Sequence, residues 1–249
     1  AHQKLLYHQL FAQSSGALLD VGLRQLGIEL GLLGVLHTWS RQLIFHPHVH
    51  YVVPGGGLTP EALRWVRIKE DYFLPTRVLA LRFKHRLRQH LEHARQDLLK
   101  QVPAKVWRQA WVVDSQPVGS GEAALKYLSA YVCRTALGAQ RIVRDEHGQI
   151  TFTYRESESG QTRLNTVSAP EFLRRFLQHV LPRGFQRVRY FGWLSPAAVK
   201  RWTRIQTLLD WRPPPLPPRA LPPPPLCPVC QLPMRCAGRI ARGPPVRGP

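Results

Sequence analysis

His46-Pro47-His48-Val49-His50-Tyr51-Val52-Val53-Pro54-Gly55-Gly56-Gly57 is the stretch on which the fold turns. From His48 to Val53 it reads as a strand, stopped by Pro54 and three glycines. Side chains alternate along a strand, so His48 and His50 share one face while Val49, Tyr51 and Val53 take the other. Gly31 to Trp39 is a second short apolar run, bounded by glycines and by the polar turn Ser40-Arg41-Gln42. The two runs are expected to pair as a hairpin. With the turn near Leu43 and Ile44, His37 falls close to His50 as a third imidazole.

Working outward, apolar residues Leu6, Leu10, Leu18, Leu19, Leu23 and Leu26 recur at helical spacing, which predicts a first helix over 5–30, broken near Gly16 or Gly27. Residues 65–100 read as a long helical stretch dense in Arg, Lys and His, and Trp107 to Asp114 as a strand. Glu122 to Leu137 reads as a helix. Arg141 to Arg144 and Ile150 to Arg155 flank the turn Asp145-Glu146-His147-Gly148 as a β-hairpin. Ser168 opens another helix with the capping box Ser168-Ala169-Pro170-Glu171, whose buried stripe is Phe172, Phe176 and Val180. Strands mingled with separate helices give an α+β fold, an antiparallel sheet with helices on one face.

The chain carries 35 Lys plus Arg against 15 Asp plus Glu, a net charge of +20, which points to a polyanionic partner. Fourteen of the 23 prolines follow Arg212, and residues 213–249 hold five arginines and no acid. This predicts a disordered, extended Pro/Arg-rich tail over 213–249 behind a folded domain over 1–212 that itself carries +15. No apolar run reaches the ~18 residues of a membrane span and no secretory leader is visible, so the expectation is a soluble, intracellular protein with no membrane partner. Four cysteines make no disulfide framework. Cys227-Pro228-Val229-Cys230 reads as half of a zinc knuckle with Cys236 as a third ligand, although a closed site needs four.

Two residue groups can do chemistry. Imidazoles converging from His48 and His50 suit Zn, Mn or Fe and help hold Mg; the alternative is a pair of hydrogen-bonded hairpin histidines. Tyr127 and Tyr131 stand one helical turn apart, roughly 110° around the wheel from the apolar stripe Leu125, Leu128 and Val132. That offset disfavours a core role for both phenols without excluding packing. A phenol titrates near pH ~10, so as a nucleophile it needs help. Lys126 and Arg134 offer cationic neighbours, and a metal on the histidines offers charge neutralisation on a scissile phosphate.

The run 46–57, preceded by Leu36-His37-Thr38-Trp39, resembles the His-hydrophobic-His motif of the rolling-circle, two-tyrosine insertion-sequence transposases within the HUH endonuclease superfamily. Tyr127-Leu128-Ser129-Ala130-Tyr131-Val132-Cys133-Arg134 is similar to that family's tyrosine helix, and the Glu171 to Pro182 block with Gly184-Phe185 to its downstream segment. The likeness covers residues 5–200 in order.

The resemblance implies an HUH-like fold with the histidines on a central strand and the tyrosines on an adjacent helix. It implies a DNA nickase and strand transferase acting on single-stranded DNA at transposon ends and target, in the nucleoid, with no small-molecule substrate. His48 and His50, with His37, would bind Mg or Mn. Tyr127 or Tyr131 would form a 5′-phosphotyrosine link, and Lys126 and Arg134 would face DNA. Apart from the resemblance, zinc at Cys227, Cys230 and Cys236 would be structural. Family members also begin with a cysteine-rich zinc domain and a first strand, absent before Leu5, so truncation of the N-terminus is expected. A non-catalytic DNA-binding remnant is the rival reading. A small-molecule metallohydrolase is disfavoured by charge and by the missing carboxylates.

Overall fold

The computed structural model describes residues 2–69, 73–119, 121–123, 126, 129, 136–156, 159–213 and 224–235. The chain divides into two units, Ala1–Trp211 and Arg212–Pro249. Along the first unit come α1 (Gln3–Leu26), β1 (Gly31–Trp39), β2 (Phe45–Val52), β3 (Gly56–Leu58), β4 (Trp65–Arg67), α2 (Thr76–Ala94), α3 (Gln96–Leu99) and α4 (Ala104–Arg108). Then follow β5 (Ile142–Glu146), β6 (Gln149–Arg155), β7 (Thr162–Ser168), α5 (Ala169–Leu177), β8 (Val188–Gly192) and α6 (Val199–Leu208). The class is α+β, and among the described residues every pairing between strands is antiparallel.

The central sheet has the order β2-β1-β8. β1 lies in the middle, which explains why Leu32, Val35 and Leu36 are all essentially inaccessible. α1 covers one face of this sheet: Tyr7 and Phe11 pack on Leu36, with Val49 of β2 closing the cluster. Phe11 is fully buried, a burial that stabilises by up to about 3 kcal/mol. A second core under the end of α1 gathers Val21, Ile28, Leu30, Leu32 and Leu79.

The predicted first helix is real but ends earlier, at Gly27, whose φ of 65° admits the left-handed cap that returns its N–H to the Leu23 carbonyl at 3.0 Å. It runs unbroken through Gly16. That glycine serves a close approach, because a Cβ there would run into the Arg86 guanidinium of α2.

Several expectations are corrected. Residues 65–100 are not one helix: Trp65–Arg67 is a strand paired with Gly56–Leu58, and α2 begins only after Pro75. The anticipated strand Trp107–Asp114 is absent. The Lys84 ammonium donates to the Trp107 and Gln109 carbonyls, both at 2.9 Å, and the Trp111 indole to Val106 at 3.0 Å. Those acceptors are therefore bonded to side chains rather than to a ladder. The capping box does not form either, since Glu171 is held by Arg174 at 2.6 Å and by Arg175 at 2.7 Å, and Ser168 caps without its side chain. In the anticipated stripe Phe172 is buried, whereas Phe176 and Val180 are exposed, Val180 lying beyond the helix end.

The hairpin expected near residue 145 is β5–β6, with Glu146 paired to Gln149 across His147-Gly148. Both turn residues have positive φ, 51° and 70°, as a two-residue primed turn demands. β7 joins it to make a three-stranded meander, order β5-β6-β7, against which Phe172 of α5 packs on Phe152. The helix expected over Glu122–Leu137 falls largely outside the described residues. Residues 121–123, 126 and 129 are helical, but by Ala136 and Leu137 the chain is no longer helical and joins the Phe152–Phe172 core.

Candidate metal centre

β1 and β2 pair antiparallel with His37 directly opposite His48, Val35 opposite His50 and Leu36 opposite Val49. The alternation read from the sequence holds: Val49 enters the core under α1, and the Tyr51 hydroxyl reaches Ser14 of α1 at 2.7 Å. His48 and His50 therefore occupy the opposite face, where His37 joins them. Ring centroids stand 4.8 Å apart for His48–His50, 4.8 Å for His37–His50 and 5.7 Å for His37–His48. One nitrogen from each ring lies within 4.8 Å of the others. Among the described residues, these three form a group of side chains able to hold a metal ion.

The rings are positioned rather than loose. His37 is buried and stacks on Trp39, two residues along the same strand face, at 4.7 Å and 17°. The His48 Nδ1–H donates to the His46 carbonyl at 2.7 Å. A carbonyl only accepts, so that bond selects the tautomer with a free lone pair on Nε2, the arrangement a metal-binding histidine needs. Burial lowers the His48 pKa. The His50 pKa is lowered to about 4, first by burial and then by the neighbouring His48 and His37. His48 and His50 are thus neutral at neutral pH.

Three imidazole nitrogens fit a divalent cation of intermediate softness. Around a zinc ion with bonds of ~2.1 Å, tetrahedral neighbours stand ~3.4 Å apart, so modest ring rotations would draw the present nitrogens together. Among the described residues no carboxylate belongs to the group, and its imidazole donors suit a divalent transition metal.

The turn beneath the site is braced by a residue that sequence reasoning passed over. His179 is buried; its Nε2–H donates to the Leu43 carbonyl at 3.2 Å, and its Nδ1 accepts from the Thr38 hydroxyl at 3.3 Å. Leu43, at φ 60°, closes the connection from β1 to β2. Arg141 donates to the Arg41 carbonyl at 2.9 Å and Arg41 to the Arg155 carbonyl at 3.2 Å, tying the same turn to the meander. The one available signal was Trp39, whose position two residues from His37 put it on the histidine face; its ring meets that of His179 at 6.1 Å.

Other anticipated residues fare differently. Lys126 is helical and exposed. Tyr127, Tyr131, Arg134 and Cys236 lie outside the described residues. Cys227 and Cys230 belong to the second unit. On the basic helix α2, Arg82 is paired with Asp20, Arg88 with Glu92, and Lys84 is spent on carbonyls, so part of its charge is engaged inside the protein. No helix among the described residues is long and apolar enough to cross a membrane.

The family model described as "Putative transposase" matches residues 31–201, a span holding all three histidines and both candidate tyrosines. "Putative transposase y4qJ" of Sinorhizobium fredii (strain NBRC 101917 / NGR234) is 37% identical over 214 residues, covering 78% of this chain and 54% of that protein. The "Transposase for insertion sequence element IS801" of Pseudomonas savastanoi pv. phaseolicola is 26% identical over 209 residues, covering 78% of this chain and 50% of that protein. The chain thus spans about half the length of these curated relatives. No solved structure matches. With the histidine hairpin inside the matched span, the chain belongs to the Y2 family of insertion-sequence transposases.

Proposed function

We propose that this chain nicks single-stranded DNA and transfers the broken strand through a 5′-phosphotyrosine intermediate, in the manner of an HUH endonuclease. The observation that carries the reading is the set of three imidazoles on one face of the central hairpin, within a transposase family match. His37, His48 and His50 would hold the divalent cation, with Mn a better fit to this donor set than Mg. When bound, that cation supplies charge neutralisation on a scissile phosphate.

Tyr127 or Tyr131 provides the nucleophile. Its phenolic oxygen attacks phosphorus as its proton leaves to solvent; the P–O3′ bond breaks, and the departing 3′ oxygen takes up a proton. The 5′ side of the break is then esterified to tyrosine. The ester retains the energy of the original phosphodiester, so a 3′-hydroxyl attacking it restores a P–O3′ bond and frees the phenol without ATP. A second tyrosine allows a second cleavage before the first is resolved. Lys126 and Arg134 would contact the DNA backbone. Residues 1–212 would form the catalytic domain working at the nucleoid, and residues 213–249 an accessory basic tail.

The test uses 5′- and 3′-labelled single-stranded oligonucleotides with Mn or Mg, resolved on denaturing gels. The wild type should give a covalent adduct that requires metal and is lost in His48→Ala with His50→Ala. Tyr127→Phe and Tyr131→Phe identify the attacking residue. DNA binding retained with no adduct from the wild type would refute the reading in favour of a non-catalytic DNA-binding remnant. Binding should also weaken steeply as salt rises, since phosphate contacts release counterions.

A further inference from the structure

The reading above does not use the second unit, whose described residues contain a short hairpin. Leu226 and Pro233 form an antiparallel bridge. Inside it the Cys227 N–H donates to the Leu232 carbonyl at 2.8 Å and the Gln231 N–H to the Cys227 carbonyl at 2.9 Å, while the Met234 N–H reaches the Pro225 carbonyl at 2.8 Å. Gln231, at φ 59°, completes the reversal. The result is a tight knuckle with Cys227 entering the turn and Cys230 leaving it.

Burial does not hold this knuckle. Val229 is 91% exposed and Leu232 65%, and Met234 is exposed as well. A lone hairpin with so little apolar cover is marginal in water, and chain segments this small generally need a staple such as a metal. Both cysteines are free thiols. Cys227 is half-buried and Cys230 exposed on the same short reversal.

We propose that Cys227 and Cys230 form a two-thiolate clamp for zinc, filling two of its four positions and stapling the 226–233 hairpin. The Leu226–Pro233 bridge and the two bonds between Cys227 and the Gln231–Leu232 segment hold Cys227 and Cys230, with two residues between them, within one tight reversal. Sulfur donors distinguish this site from the imidazole group by softness: thiolates select Zn and, in the laboratory, Co(II), and leave Mg and Mn unbound. The proposal is independent of the nuclease reading. The two metal sites differ in donor chemistry, so failure of one leaves the other standing.

The experiment is titration of the whole chain, stripped with chelator and kept reduced, with Co(II) alone. The wild type should develop the near-ultraviolet thiolate-to-cobalt charge-transfer band, which zinc then abolishes. The band should fall to baseline in Cys227→Ser and in Cys230→Ser and persist in His48→Ala with His50→Ala. Zinc should also slow alkylation of Cys227 and Cys230 by at least tenfold, read by peptide mapping. Absence of the band in the wild type, or an undiminished band in both serine variants, overturns the proposal. Both cysteines lie on an open hairpin, so circular dichroism should show the first unit unchanged in the variants.

Discussion

The hydroxyls of Tyr51 and Ser14 share a 2.7 Å hydrogen bond that joins β2 to α1. Tyr51 also donates toward the Phe11 carbonyl at 3.4 Å, and burial pushes its phenol above the ordinary range. A phenol so raised is a poor nucleophile. Tyr51→Phe should therefore cost about 1–2 kcal/mol in urea unfolding while leaving DNA cleavage intact. Loss of cleavage in a folded Tyr51→Phe protein would mean that this tyrosine, rather than one in the 127–131 segment, does the chemistry.

The histidine group should make stability depend on metal. A ligand that binds only the folded chain stabilises it by about 2.7 kcal/mol at a hundredfold excess over its dissociation constant. Mn should thus raise the melting temperature of the metal-free protein, with Mg giving a smaller rise. His48→Ala with His50→Ala should erase the Mn effect, as read by differential scanning fluorimetry. An unchanged Mn response in that variant would place the ion elsewhere.

How far these features were legible depends on how local their causes are. The β1–β2 hairpin and its histidine face could be read because period-two alternation and the glycine stops lie within 27 residues of chain, 31–57. His37 was placed near the site, but its direct partner is His48, a matter of register that turn geometry alone decides. β7, with the sequence TRLNTVS, carries little apolar pattern because most of it is exposed. β8 was missed for a different reason: five residues gain strand identity only by pairing with β1, more than 150 residues away in the chain. Trp107–Asp114 has the composition of a strand, but Lys84 takes the carbonyls a ladder would use. His179 lies in the Glu171 to Pro182 block, but nothing local marks its bracing role, since its partners Thr38 and Leu43 lie far away in sequence.

Acid should weaken the metal-free protein through His50. Its folded pKa of about 4 lies below the ordinary value of 6.5, so the unfolded chain holds more protons between those limits. The contribution of neutral His50 is fully present above pH 6.5 and is lost as pH falls toward about 4, amounting to at most about 3 kcal/mol. Urea midpoints measured from pH 7 to pH 4 should decline, and His50→Gln, which cannot titrate, should decline less. Parallel curves for the two proteins would show that His50 is not the group responsible. The same depression means that protons compete weakly for the site, so Mn binding should persist at pH 5.5, where an ordinary histidine is largely protonated.

Gly192 ends β8 opposite Gly31, at φ 60°, and a Cβ built on it would overlap the carbonyl oxygen of Leu30. Backbone cannot swing away as a flexible side chain can. Gly148 has a similar φ of 70° but open space around its missing Cβ. Alanine at 148 therefore adds only left-handed strain, about 1 kcal/mol, whereas Gly192→Ala adds a backbone collision to the same strain and should cost about 3 kcal/mol or more. The difference matters for the site because β8 is the strand that flanks β1 on the side away from β2, and β1 carries His37. Gly192→Ala should lower the melting temperature much further than Gly148→Ala and weaken Mn binding with it. Equal, small effects of the two substitutions would mean that β8 does not press on Leu30 as described.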